Sequence, residues 1–269
     1  MKKFLIKAFI YIFYGGLCYK KIADLQSTKM GKLLDPYTYW SKTNVMNLAN
    51  DLKPQGNVLD VGSGGQWARN IFEMKGHKYL GCDIRECVNP EKQDFFVDDA
   101  RIPLPENSQD LIISNSVLEH IDTPELAVSE VNRILKKGGQ FYCQTNFLYQ
   151  EHGNPNDYYR FTLNGLTAIM LRNNFTIIDT AKIGDFSTFI NDNTAAYIVN
   201  KMSILLGHFF NLKFSGRLAS IPMLLIVVVV NNLVSAITLI MLLCSKFLGV
   251  LCISNNTCYP GVYILCKKI

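Results

Sequence analysis

The segment Asn57-Val58-Leu59-Asp60-Val61-Gly62-Ser63-Gly64-Gly65-Gln66 constrains the fold of this chain more than any other. Val58, Leu59 and Val61 form a short apolar run of the kind that is buried as a strand. Gly62, Gly64 and Gly65 carry no Cβ, so they take positive φ without strain and let a ligand approach the backbone. The pattern predicts a helix from near Gln66, with its free N–H groups facing the same space. Asp60 places a carboxylate at the strand's end, where it suits a ligand ammonium. Such a turn holds a nucleotide-like cofactor or, taken alone, is an ordinary tight strand–helix connection.

The glycine spacing narrows the choice of cofactor. A dinucleotide fingerprint needs G-x-G-x-x-G, and its third glycine would fall at Trp67, which is too bulky to pack a helix against a strand. Asp60 also disfavours a pyrophosphate nearby. No Gly-Lys-Ser/Thr follows, so the P-loop pattern fails.

Downstream residues extend the strand–helix series. Lys78-Tyr79-Leu80-Gly81-Cys82-Asp83 predicts a second strand that ends in an acid placed to accept hydrogen bonds from a ribose. Phe95-Phe96-Val97-Asp98-Asp99-Ala100 predicts a third. Asp110-Leu111-Ile112-Ile113-Ser114-Asn115 predicts a fourth, followed by Ser116-Val117-Leu118-Glu119-His120. Leu135-Lys136-Lys137-Gly138-Gly139-Gln140-Phe141-Tyr142 predicts a helix end, a glycine C-cap and a fifth strand. One acid at one turn is an ordinary solvated residue. Polar groups at four strand ends of one series make a site.

These residues resemble the class I S-adenosylmethionine-dependent methyltransferase family, of the small-molecule type, over residues 37–183 and the last strand at 259–267. The resemblance implies S-adenosyl-L-methionine as cofactor. It implies that Asp60, Gly62 and Gly64 hold the methionine part, that Asp83 binds the ribose, and that Ile84 packs on the adenine. It also implies that Asp99 and Ala100 contact the adenine edge, and that the segment from Asn115 to His120 floors the space between cofactor and acceptor. One departure stands out: the family's usual third glycine falls at Gln66, with Gly65 displaced by one.

Asn156-Asp157-Tyr158-Tyr159-Arg160-Phe161-Thr162 is similar to an Asp-Tyr-Tyr/Trp-Arg-Phe-Thr stretch found in envelope- and glycan-associated members of the family. Thr162 is expected to N-cap a helix over residues 163–172. The loop over residues 149–160 is a candidate lid over the acceptor, which would bring His152, Asp157, Tyr158 and Arg160 to the site. If the acceptor is a hydroxyl, a base is needed. His120 is the first candidate and His152 the second, since imidazole suits that task; each has a plain structural reading too. Glu119 is placed to orient the sulfonium or a histidine.

The composition excludes several classes. The net charge of +5 over 269 residues is modest, and no basic run with interleaved aromatics marks a nucleic-acid groove. The 8 cysteines show no Cys-x-x-Cys, so neither a disulfide framework nor a metal site is expected. Reduced cytosol fits.

Two apolar segments stand outside this scheme. Phe4, Leu5, Ile6, Phe9, Ile10, Tyr11, Ile12 and Phe13 follow N-terminal lysines, and no signal-peptidase-like site follows them. This segment reads as an interfacial anchor or an acceptor-covering helix. Residues 218–245 carry no charge and exceed the roughly 18-residue threshold of a membrane helix. A membrane hairpin broken near Asn231-Asn232, a buried helix pair and a lid over a greasy acceptor stay open.

The expectation is an α/β fold: a Rossmann-like, mostly parallel seven-stranded sheet with helices on both faces, plus an apolar helical N-terminal extension and a C-terminal insertion. The expected domains are an extension at 1–36, a cofactor-binding methyltransferase domain at 37–183 and 259–269, and a hydrophobic helical insertion at 184–258. The expected activity is methyl transfer to a small or lipid-linked metabolite, such as a saccharide or isoprenoid-type acceptor. The expected place is the cytoplasmic face of a membrane, reached through residues 217–253 and the N-terminal segment, with no nucleic-acid partner. The alternatives are a catalytically inactive scaffold at a membrane and, disfavoured by Trp67 and Asp60, a nicotinamide dehydrogenase.

Overall fold

The computed structural model describes residues 36–87, 89–97, 101–153, 156–186, 188–189 and 258–269. Residues 36–184 and 259–269 form one compact unit. Its elements in chain order are α1 (Pro36–Asp51), β1 (Asn57–Val61), α2 (Arg69–Glu73), β2 (Lys78–Asp83), β3 (Phe95–Phe96) and β4 (Gln109–Asn115). After these come α3 (Pro124–Ile134), β5 (Leu135–Asn146), α4 (Leu163–Arg172), β6 (Phe175–Ile183) and β7 (Gly261–Lys268).

The apolar runs become strands buried on both faces, as parallel strands require. Successive side chains point to opposite sides. Val58, Leu111, Ile113 and Tyr142 therefore join Val45, Leu48 and Phe72 in one core. Leu59, Ile112 and Phe141 join Val128, Val131, Ile134, Leu166 and Met170 in the other. Helices α1 and α2 cover the first face, and α3 and α4 cover the second.

The seven strands lie in the order β3-β2-β1-β4-β5-β7-β6. Strands β1 to β5 pair in parallel. Strand β7 runs antiparallel between β5 and β6, so the sheet is mixed rather than fully parallel. The order reverses between β1 and β4. Such a switch point opens a crevice at the carboxyl ends of the strands, and ligands bind there.

Three local expectations need correction. The helix after β1 begins at Arg69 rather than near Gln66. Gln66 takes φ 55°, and its N–H is already used by the Ser63 carbonyl at 2.7 Å. Gly138 (φ 77°) does not cap a helix. Helix α3 has ended at Ile134, and Leu135 already pairs with Gln109. The ladder then resumes at Leu111 with Gln140, so residues 136–139 bulge out of β5, and Gly138 allows that bend. The third strand is only Phe95–Phe96. The Thr162 cap forms as expected, with the Gly165 N–H donating to Thr162 Oγ1 at 3.1 Å.

Among the described residues, no helix is long and apolar enough to cross a membrane. The apolar segments over residues 1–35 and 217–253 lie outside the described residues.

Candidate active site

A cavity of about 430 Å³ opens at the switch point. Small-molecule sites commonly enclose about 300–1,000 Å³. Its wall is lined by Gly62, Gly64, Asp83 and Ile84 and by Ser116, Val117, His120, Gly153 and Asn156, with Val61, Val97 and Ile121 as apolar wall.

The glycine loop is held open by polar neighbours. The Gly64 N–H donates to Asp83 Oδ2 at 2.9 Å, and the Ile84 N–H donates to Asp83 Oδ1 at 2.8 Å. Gln93 Nε2 donates to the Gly64 carbonyl at 2.8 Å. Ser63 Oγ donates to Gln93 Oε1 at 2.5 Å. Gly62 sits at φ 71°, and a Cβ there would lie 2.2 Å from Val117 Cγ2. Gly64 sits at φ 47° with open space on its Cα. Gln66 lies where the family's third glycine is expected, and its amide fills the space left by Gly81, where a Cβ would lie 2.5 Å from Gln66 Nε2.

Asp60 lies beneath this loop. It is 3% exposed, and the Tyr79 hydroxyl donates to its Oδ2 at 2.5 Å. Burial pushes its carboxyl up to about 7. Asp60 and Asn115 are absent from the cavity wall. Asn115 Oδ1 accepts instead from Ser41 Oγ at 2.9 Å. The wall position is taken by the next residue, Ser116, which has φ 55° and whose Oγ lies 2.7 Å from the Tyr37 hydroxyl of α1. Asp99 and Ala100 lie outside the described residues.

The His120 side of the cavity is built by the segment after β4, by the end of β5 and by the loop after β5. Glu119 is fully buried. Its Oε2 accepts from Thr145 Oγ1 and its Oε1 from Asn146 Nδ2, each at 2.7 Å. Its backbone carbonyl accepts from the N–H groups of Tyr158 at 2.9 Å and Tyr159 at 3.2 Å. His120 Nδ1 lies 2.5 Å from the Asn156 carbonyl. Gly153 takes φ 67° against the His120 ring, with no room for a side chain. His152 stacks edge-on behind His120 at 4.7 Å between ring centroids.

The Asp157–Arg160 pair is absent from the cavity wall. Arg160 Nη1 donates to Asp157 Oδ1 at 2.6 Å and to the Tyr159 carbonyl at 2.7 Å. Nη2 donates to Asp157 Oδ2 at 2.7 Å and to the Gln150 carbonyl at 2.9 Å, and Nε donates to the Tyr149 carbonyl at 3.0 Å. A guanidinium has five donors, so none is left for an acceptor. Tyr158 is half exposed and its hydroxyl donates to Asn156 Oδ1 at 3.2 Å. Of the four candidates His120, His152, Tyr158 and Arg160, only His120 is on the cavity wall.

Gln93 escaped the reading of the sequence, whereas Ser116 and Val117 fall within the expected floor at 115–120, and Gly153 and Asn156 within the expected loop at 149–160, without being singled out there. The Gly153-Asn154-Pro155-Asn156 run is a turn signal beside two polar candidates, and it was the cue available for the last two.

The sheet order, the crevice at its reversal and an acid at the end of β2 define a Rossmann-like cofactor-binding fold. Residues 59–143 match the family model of a methyltransferase domain. A sterol 24-C-methyltransferase of Gibberella zeae is 35% identical over 104 residues, a match covering 34% of this chain and 27% of that protein. Among solved structures, the [4+2]-cyclase SpnF superposes with a TM-score of 0.53 at 14% identity, over 87% of this chain and 83% of its own. A candidate sarcosine dimethylglycine methyltransferase from Galdieria sulphuraria does so at 0.50 and 12% identity, over 85% and 83%. Over residues 59–143 the chain is therefore similar to a methyltransferase domain, and that similarity supports S-adenosylmethionine as the cofactor. The cavity fits it: open backbone at Gly64, a carboxylate at Asp83 with lone pairs to spare, and apolar wall at Ile84 and Val97.

Proposed function

We propose that this protein transfers a methyl group from S-adenosylmethionine to a small or lipid-linked acceptor at the cytoplasmic face of a membrane. The observation that carries the reading is the Asp83 carboxylate, held on the cavity wall by two backbone N–H groups while facing the open glycine loop. When bound, the cofactor supplies a methyl group activated on a sulfonium. The protein supplies position and electrostatics. Asp83 would take the ribose hydroxyls, Ile84 and Val97 the adenine, and Gly62 and Gly64 the methionine part.

His120 stands at the acceptor end. Its Nδ1 faces the Asn156 carbonyl and so carries the proton, which leaves Nε2 free to take one from an acceptor hydroxyl. The Arg160–Asp157 clamp fixes the loop that carries Gly153 and Asn156. Aligning two bound reactants lowers much of the barrier for a donor already activated.

The lipid-linked acceptor rests on the uncharged run at residues 218–245 and on the sterol named for the Gibberella zeae relative. Calorimetric titration with S-adenosylmethionine, paired with Asp83→Ala, tests the cofactor half. Micromolar binding that collapses in the variant supports it. A folded wild type that binds nothing leaves the inactive scaffold. The membrane half is tested by deleting residues 217–253: unchanged fractionation and activity would remove it.

A further inference from the structure

We infer that Glu119, His120 and His152 form a binding site for a divalent first-row metal ion at the acceptor end of the cavity. One donor atom from each residue lies within 4.8 Å of the others. Two imidazoles and one carboxylate are a ligand set that such ions take, with further positions left open for a small molecule.

The hydrogen bonds around the three residues point the same way. His120 Nδ1 faces the Asn156 carbonyl at 2.5 Å. His152 Nδ1 faces the Gln150 carbonyl at 3.2 Å and Asp157 Oδ2 at 3.4 Å. Acceptors at both Nδ1 atoms fix the proton there and leave both Nε2 lone pairs available. Metal-bound histidines are commonly held in this way by a carbonyl or carboxylate behind the ring. The other neighbour of His152 Nε2 is Asn146 Nδ2 at 3.5 Å, a donor that also needs a lone pair on that nitrogen. Glu119 is a fully buried carboxylate that accepts from a neutral hydroxyl on Thr145 and a neutral amide on Asn146, each 2.7 Å away. A buried carboxylate is commonly paired with a cation or bound to a metal.

Three donors about 2.1 Å from one tetrahedral ion lie about 3.4 Å apart. The present separations of up to 4.8 Å thus need a contraction of up to about 1.4 Å. His152 sits on the loop that Arg160 clamps, and His120 is on the cavity wall, so the open positions face the acceptor. The inference deepens the methyltransferase reading and rests on it for its use: with His120 Nε2 committed to the ion, the ion would replace that nitrogen's role as base by holding and acidifying an acceptor hydroxyl, whose proton would pass to solvent. The absence of a metal site was expected from cysteine spacing. The ligands proposed here are instead an adjacent Glu-His pair and a histidine 32 residues further on, brought together by the loop after β5.

The test uses the full chain stripped with a chelator and titrated with Zn²⁺ and Co²⁺ in the absence of cofactor and acceptor. One equivalent is expected, with cobalt spectra showing nitrogen and oxygen ligation and no thiolate charge-transfer band. His152→Ala and Glu119→Gln, each checked for an unchanged fold by circular dichroism, should weaken that binding at least 100-fold. Undiminished binding in folded variants, a thiolate band, or no binding by the wild type would overturn the site. Titration of the metal-free protein with S-adenosylmethionine is read separately, so loss of the metal site and loss of the cofactor reading give different results.

Discussion

Arg160 closes a two-pronged fork on Asp157, with Nη1 on Oδ1 at 2.6 Å and Nη2 on Oδ2 at 2.7 Å, over a carboxylate whose side chain is 1% exposed. Asp157 Oδ2 also accepts from the His152 N–H at 2.8 Å. The guanidinium holds the Asp157 carboxyl well below the usual carboxylate range. The pair therefore fixes the loop that brings His152, Gly153 and Asn156 to the cavity.

Arg160→Lys keeps the charge and loses the planar fork. Breaking a buried charge pair costs about 3–5 kcal/mol, and the retained charge should hold the loss to roughly half of that. The expected result is a lower midpoint in chemical denaturation and faster hydrogen exchange at the amides of His152 and Tyr158. Cofactor affinity should change little. A variant of unchanged stability that loses only turnover would return Arg160 to the acceptor.

Asp83→Asn should weaken S-adenosylmethionine binding. Hydrogen bonds to a charged group contribute about 1.5–3 kcal/mol, which is roughly 10- to 150-fold in affinity. Calorimetry reads the affinity, and the melting temperature shows whether the Gly64 loop has stayed in place.

Gly62→Ala should destabilise the protein and abolish cofactor binding, because its Cβ would lie 2.2 Å from Val117 Cγ2 at φ 71°. Overpacking of this kind costs about 1–3 kcal/mol, with backbone strain in addition. Adding Val117→Ala removes both offending methyls and leaves Val117 Cβ 3.1 Å away. The double variant should recover at least about 1 kcal/mol over the sum of the single changes, as coupled neighbours do. Additive effects would show that the two side chains do not meet.

Asp60 should make stability fall as pH rises. Its folded carboxyl is pushed up to about 7 from 3.8 by burial. The unfolded chain therefore releases its proton first, and the stability present below about pH 4 is lost as pH climbs through 7. Relative to wild type, Asp60→Asn should gain on the order of 2 kcal/mol between pH 5 and pH 8. Denaturant titrations of both proteins at the two pH values measure the difference, and a constant difference would refute the shift.

The sheet was legible because its signals are local. The runs from Val58 to Val61 and from Asp110 to Asn115 each announce a strand through apolar residues in sequence, and Thr162 announces a helix through one capping oxygen. Asp83 was legible because it ends its strand. Asp60 was not, because only the fold shows Tyr79 on the neighbouring strand reaching across to it. Arg160 and Asp157 looked like acceptor contacts for a similar reason: a charged pair three residues apart serves a ligand or a loop, and the sequence does not show the Tyr149 and Gln150 carbonyls that use up its donors.

Residue type and spacing by themselves determined the strand–helix series, the glycine turn and the acid that ends β2. All of these depend on contacts between near neighbours in the chain. The tertiary structure decided the rest: that Ser116 rather than Asn115 faces the cavity, that Gln66 fills the space beside Gly81, and that His152 lies behind His120. Each of these depends on residues brought together from separate segments, where the rotation of one strand or the path of one loop selects which side chain meets the ligand.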